Sequence, residues 1–241
     1  MCGICGYVGP RRAQPLLLDA LARLEYRGYD SAGLGLVERN GHGSLIRRVC
    51  AVGPLVELQR RLAAEVSPAV CGIGHTRWAT HGQVSLANAH PFLSCGGEIA
   101  ICLNGIVENF AELREMLERG GHRFSSQTDA EVVAHLLEDV HDGDLVAATV
   151  VVSRRLTGQF AFLACHREQP ELLVASRRHC PLLIGSGDGE MFVASAAAAF
   201  LAETRHYQLL EDDEVVALTR EGAAFYGWDS EQRERELLEA D

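Results

Sequence analysis

The chain has 241 residues, 47% of them hydrophobic, and a formal charge of −11. That length buries one substantial core or two small ones, and the acid excess argues against a nucleic-acid partner, which needs clustered Lys and Arg to neutralise phosphate. The first residues lack the charged start and apolar run of a signal peptide, and no apolar stretch nears the ~20 residues that span a bilayer. The reading is therefore a cytoplasmic chain with no membrane partner, its eight cysteines reduced.

In chain order, apolar alternation predicts a strand over 4–8 and a helical period over 13–25. Strands over 33–37 and 45–49 follow, then a helix over 54–65 and strands over 72–75 and 98–103. Three helices come next, over 110–119, 129–139 and 145–156. The remaining strands are predicted over 160–165, 172–176, 182–185, 191–194 and 214–218. Asn109 before Glu112, and Thr128 before Glu131, both have capping-box spacing. Helices that cluster, instead of alternating with every strand, favour antiparallel sheets with helices packed outside over a doubly wound parallel sheet. The charged stretch 229–241 reads as a solvated helix or a linker. Cys50, Cys71, Cys102 and Cys165 lie among apolar neighbours and read as buried small hydrophobes.

Five features carry chemistry. Cys2 follows a removable Met1, and its release leaves a thiol and a free α-amine on one residue. An α-amine of pKa ~7.7–8.0 can take the proton of a thiol of pKa ~8.5, so nucleophile and base arrive together. Cys5 completes a C-x-x-C, but no second pair accompanies it, and no metal or redox role is assigned. Arg77 offers a planar fork for a carboxylate, or simply an ion-paired turn. Trp78, His81 and Gly82 suggest a closing lid. Asn104-Gly105 after a strand is either a hairpin turn or a pair of oxyanion donors. Asp129 is either part of a helix cap or a clamp for an ammonium group. The segment Tyr26-Arg27-Gly28-Tyr29-Asp30-Ser31-Ala32-Gly33 is unusually polar and aromatic for a plain connection. Together these supply a nucleophile, a base, oxyanion donors and two head-group clamps, which suits glutamine or asparagine.

These segments, together with Asn88-Ala89-His90-Pro91 and Thr128-Asp129-Ala130-Glu131, resemble the class II, N-terminal-nucleophile glutamine amidotransferases. The Tyr-Arg-Gly-Tyr-Asp-Ser-Ala-Gly and Arg-Trp-Ala-Thr-His-Gly (77–82) runs are similar to the glutaminase domains of the glucosamine-6-phosphate synthase branch. The likeness implies an α+β fold, a four-layer αββα sandwich of two antiparallel sheets between helices. It implies a glutaminase domain over 2–225, followed by an acidic tail or linker at 226–241. By the resemblance, Cys2 forms a γ-glutamyl thioester and Asn104 and Gly105 stabilise the oxyanion. Arg77, Thr80 and His81 hold the α-carboxylate of L-glutamine, while Asp129 and the Gly105 carbonyl hold its amine. Trp78 belongs to the lid and Arg27 supports the site. No cofactor or metal is implied, and the ammonia goes to a sugar-phosphate isomerase domain or a separate acceptor subunit. The alternatives are a stand-alone glutaminase serving another acceptor, or a silent regulatory module. Leu103, His179-Cys180 and Ala196 depart from the family pattern.

Overall fold

The computed structural model describes residues 2–41, 43–79 and 82–240. The chain runs through β1 (Gly3–Val8), α1 (Ala13–Leu24), a 3₁₀ turn (Glu25–Arg27), β2 (Ser31–Asn40), β3 (Gly43–Val52), α2 (Leu55–Leu62) and β4 (Cys71–Arg77). A loop then leads to β5 (Phe92–Leu93), β6 (Ile99–Val107), α3 (Phe110–Arg119), α4 (Glu131–Val140) and α5 (Leu145–Arg155). The rest is β7 (Gly158–His166), β8 (Leu173–Arg178), β9 (Leu183–Ser186), β10 (Met191–Ala194), β11 (His206–Leu209), β12 (Glu214–Thr219), β13 (Gly222–Gly227), β14 (Gln232–Arg233) and β15 (Leu238–Glu239).

Period-two alternation sorts the side chains into layers. On β1, Cys5 and Tyr7 face α1 and α2 in one apolar cluster, while Ile4 and Val8 face the other sheet in a second. On β6, Ala100 and Cys102 join that central cluster. Ile99, Ile101 and Leu103 point the other way, onto Val133, Leu136 and Leu137 of α4. Both faces of both sheets are thus buried, and three apolar layers separate four structural ones. The first sheet has the order β15-β11-β9-β10-β1-β4-β2-β3 and the second β14-β13-β12-β8-β7-β6-β5. Neighbours such as β1 and β4, or β6 and β7, run antiparallel. The expected α+β sandwich is the fold observed. Among the described residues no helix is long and apolar enough to cross a membrane.

Three local expectations need correction. Asn109 precedes α3 without capping it. Its side chain instead ties the start of α3 to the exit of α5, donating to Arg155 O at 2.8 Å and accepting from Thr157 N at 3.0 Å. Thr128 does not cap α4 either, since the helix starts after Ala130 and the Thr128 hydroxyl pairs with that of Ser126 at 2.9 Å. Glu131 takes the N–H groups of Ser125 and Ser126 at 2.8 and 2.7 Å. A side-chain cap is present on α5, where Asp144 accepts from Val146 and Ala147. The charged tail is not a helix: β14 and β15 each extend one sheet at its edge.

Candidate active site

Cys2 stands immediately before β1, and the pairing of Gly3 with Thr76 sets it beside the exit of β4. The Trp78 N–H donates to the Cys2 sulfur at 3.3 Å. Arg27 Nε and Asn104 Nδ2 donate to the Cys2 carbonyl at 3.2 and 3.1 Å. The backbone of the nucleophile candidate is therefore gripped from both sheets and from the 3₁₀ turn. Burial raises the thiol above its usual pKa, an effect opposed by the Trp78 N–H and by the Arg77 charge. Cys2 is thus a thiol at neutral pH and needs a base at the moment of attack. Cys5 points elsewhere, into the α1 layer, because an odd separation along an extended strand sends side chains to opposite faces. The two cysteines do not form a pair.

Asn104 and Gly105 lie within β6, not in a hairpin turn. Asn104 is only 8% exposed. Its Oδ1 accepts from His75 Nε2 at 3.0 Å, which turns the amide donor end toward Cys2. The same His75 nitrogen lies 3.1 Å from the Leu103 carbonyl, and two acceptors require that it carry the proton. His75 stacks on His90, ring centroids 4.0 Å apart, and His90 Nδ1 accepts from Leu103 N at 3.2 Å. Leu103, where the family pattern has another residue, thus contributes to this lattice through its backbone. Gly105 has φ +97°, and a Cβ there would meet the Gln159 carbonyl at 2.0 Å. Only glycine fits.

The His75–His90 pair was not singled out from the sequence, although a histidine at a buried strand position was the available signal. Burial pulls His75 down to about 3 from the ordinary 6.5, and His90 is lowered in the same direction. The unfolded chain then binds protons that the native state does not, so stability falls as pH drops from about 6.5 toward 3. The denaturant midpoint is expected to decline over that window, and less steeply in His75→Gln. An unchanged slope in the variant would remove His75 as a source.

Arg77 ends β4 and is 4% exposed. Burial lowers its pKa, and the charges of Cys2, Asp30 and Asp129 act in the opposite direction. Trp78, 43% exposed, packs edge-on against Tyr29 with centroids 5.5 Å apart. Beneath it runs the polar segment after α1. A Cβ at Gly28 would meet the Arg77 and Trp78 backbone at 2.7 and 2.8 Å, and Asp30 holds the Ala79 N–H at 2.7 Å. That segment is scaffolding for the β4 exit. Further along the loop, Asn88 bonds the Gln83 carbonyl at 2.9 Å and accepts from Gln127 N at 2.9 Å, joining the loop to the approach of α4. Asp129 sits at that approach, its carboxylate accepting from Val107 N at 2.7 Å. Thr80 and His81 lie outside the described residues.

Cys2, Arg77, Trp78, Gly105, Thr128 and Asp129 line one cavity. A second hollow, which Cys2 also lines, is bounded by Arg27, Trp78, Asn104, Gly105, Ile106 and Cys180. The predicted nucleophile, both clamps and Gly105 line the first, while Asn104 and Arg27 line the second; Cys2 and Gly105 are common to both.

Residues 75–202 match the glutamine amidotransferase domain family. The chain is 47% identical over 232 residues to the glutamine–fructose-6-phosphate aminotransferase (isomerizing) of Streptomyces coelicolor, covering 95% of this chain and 37% of that protein. With the Thermus thermophilus enzyme of the same name the identity is 45% over 241 residues, covering 100% of this chain and 39% of the other. The chain thus spans well under half the length of these relatives. Among solved structures it superposes on the glutamine phosphoribosylpyrophosphate amidotransferase of B. subtilis with a TM-score of 0.80 at 25% identity, over 96% of this chain and 50% of that one. The allosteric regulatory enzyme of purine biosynthesis gives a TM-score of 0.79 at 27% identity, over 94% and 49%. The matched span includes His75, Arg77, Asn104, Gly105 and Asp129, and the chain belongs to the glutamine amidotransferase domain family.

Proposed function

We propose that this chain hydrolyses L-glutamine to glutamate and ammonia through a γ-glutamyl thioester on Cys2. The observation that carries the reading is the shared cavity, which a thiol, a guanidinium and a carboxylate all line. Arg77 suits the substrate α-carboxylate and Asp129 its α-ammonium, so the side-chain amide is presented to Cys2. Thr80 and His81 assist Arg77, and the Gly105 carbonyl assists Asp129.

With Met1 removed, the Cys2 α-amine takes the thiol proton as sulfur attacks the carboxamide carbon. The tetrahedral oxyanion is met by Asn104 Nδ2 and the Gly105 N–H. Collapse breaks the C–N bond, the proton passes from the α-ammonium to the leaving nitrogen, and ammonia departs. Water, deprotonated by the same amine, then hydrolyses the thioester to glutamate and the free thiol. Trp78 covers the site while this occurs.

The ammonia is destined for fructose 6-phosphate on a sugar-phosphate isomerase domain or a separate acceptor subunit. The 45–47% identity to fructose-6-phosphate aminotransferases supports that acceptor. The net charge of −11 supports the absence of a nucleic-acid partner, and the free cysteines suit the cytoplasm.

Steady-state glutamate formation tests the reading. Arg77→Lys and Asp129→Asn are expected to raise KM for glutamine about ten- to a hundredfold, the loss of one charge-assisted contact of roughly 1.5–3 kcal/mol, with smaller effects on kcat. A lower kcat at unchanged KM would refute the head-group assignment. With fructose 6-phosphate added, this chain is expected to form glutamate without amino sugar.

A further inference from the structure

Where α4 meets the turn between β5 and β6, three separate segments bring unlike donors to one point. Cys95 lies in the turn between β5 and β6, His122 in the loop after α3, and His135 and Glu138 one turn apart on α4. One ligand atom from each lies within 4.8 Å of all the others. The Cys95 sulfur is 3.5 Å from His135 Nδ1 and 3.8 Å from His122 Nδ1. Glu138 Oε2 is 3.2 Å from His122 Nδ1 and 3.6 Å from His135 Nδ1. A tetrahedral ion with bonds of ~2.0–2.1 Å to nitrogen and oxygen and ~2.3 Å to sulfur spaces its ligand atoms roughly 3.3–3.6 Å apart. The cluster already has nearly that spacing.

The surroundings orient the donors inward. His135 is 1% exposed and its Nε2 has no hydrogen-bond partner, yet that nitrogen faces Glu131 Oε1 at 3.7 Å. His122 Nε2 likewise faces Asp139 Oδ1 at 3.8 Å. A carboxylate thus stands on the Nε2 side of each imidazole, and with an ion on the Nδ1 side this is the arrangement that metal-bound histidines use. Glu138 is held by the N–H groups of Cys95 and Gly96 at 2.9 and 2.7 Å. The Arg123 N–H donates to the Cys95 sulfur at 3.3 Å, treating it as an acceptor. A cavity of about 310 Å³ lined by Cys95, His135, Arg123, Ser125 and Glu131 gives access from solvent.

We propose that Cys95, His122, His135 and Glu138 form a tetrahedral site for a divalent zinc-class ion, distinct from the glutaminase cavity. Thiolate with imidazoles and a carboxylate suits zinc and not magnesium or calcium, which take all-oxygen shells. Four protein ligands close the shell, so the ion is structural. It clips the β5–β6 turn to α4, whose start presents Asp129. These ligands share no short spacing apart from His135 and Glu138 at i and i+3, so the site carries no motif in the sequence.

The test is cobalt(II) titration of the chain after chelator treatment. One equivalent is expected to bind, with the visible bands of tetrahedral cobalt and an ultraviolet thiolate-to-cobalt band, and zinc should displace it. Cys2→Ala should retain both features. Cys95→Ser should lose the thiolate band, and both Cys95→Ser and His122→Ala should bind at least tenfold more weakly. Zinc at about a hundredfold excess over Kd is expected to raise the melting temperature by roughly 5–10 °C, in the parent chain but not in Cys95→Ser. Retained glutamine hydrolysis in Cys95→Ser and His122→Ala reports that they are folded. No binding, an octahedral cobalt spectrum, or a thiolate band that survives Cys95→Ser would each overturn the proposal, as would equal affinity in parent and His122→Ala.

Discussion

Cys2→Ala is expected to lose glutamine hydrolysis by about 10⁴-fold or more while unfolding at the parental midpoint. The side chain precedes β1, and the backbone contacts that anchor it, from Arg27 and Asn104 to its carbonyl, survive the substitution. What disappears is the sulfur proposed to attack the amide of a glutamine held by Arg77 and Asp129. Cys5→Ala provides the contrast. Cys5 is 1% exposed and packs among Leu17, Leu21 and Leu34, so its truncation costs stability and leaves turnover nearly intact. Circular dichroism and glutamate release on both variants separate the roles. Equal losses of activity would revive a paired-cysteine reading.

Asn104→Ala is expected to lower kcat by about 10²–10³ with little change in KM. An oxyanion donor acts where charge develops, and the ground-state amide oxygen gains less from it. The geometry makes this donor unusually well fixed. His75, itself neutral and stacked on His90, holds the Asn104 oxygen and so directs the NH₂ group to the Cys2 side. A rotated or mobile amide would lose that preference, so His75→Gln should share part of the kcat loss. A change in KM alone for Asn104→Ala would remove it from the oxyanion role.

Much of the fold was legible because its strands and helices are long enough to show a period. All five helices lie within the spans predicted for them or differ by a residue or two at their ends, and β10 coincides with 191–194. Among the described residues five strands were not foreseen, and for all but β11 (His206–Leu209) the reason is physical. The strands β5, β14 and β15 are two residues long, too short for alternation, and β13 is rich in glycine and alanine. The capping boxes failed because Asn109 satisfies backbone groups at the exit of α5 and Glu131 those of Ser125 and Ser126 in the approach to α4, which spacing alone does not reveal.

In the candidate site, residues that touch the cavity were legible through their chemistry: Cys2, Arg77, Gly105 and Asp129 each carry a group that a glutamine-binding site requires. Residues that act through another residue were not. His75 and His90 read as ordinary members of polar segments, since stacking and tautomer choice arise only when β4 and the loop before β5 meet β6. Asn104-Gly105 was ambiguous with a hairpin turn until the pairing of β6 with β7 showed it to lie inside a strand. The zinc-class cluster was illegible for the same reason, its ligands being assembled by tertiary structure.

The central claim is that Cys2, bearing a free α-amine, is acylated by glutamine. Intact-mass and peptide mass spectrometry on active protein, acid-quenched during turnover, tests it most directly. The account predicts a chain that begins at Cys2 and carries one glutamyl group on that residue, absent without glutamine. Active protein that retains Met1 throughout, or a glutamyl group found on any other cysteine, would contradict it.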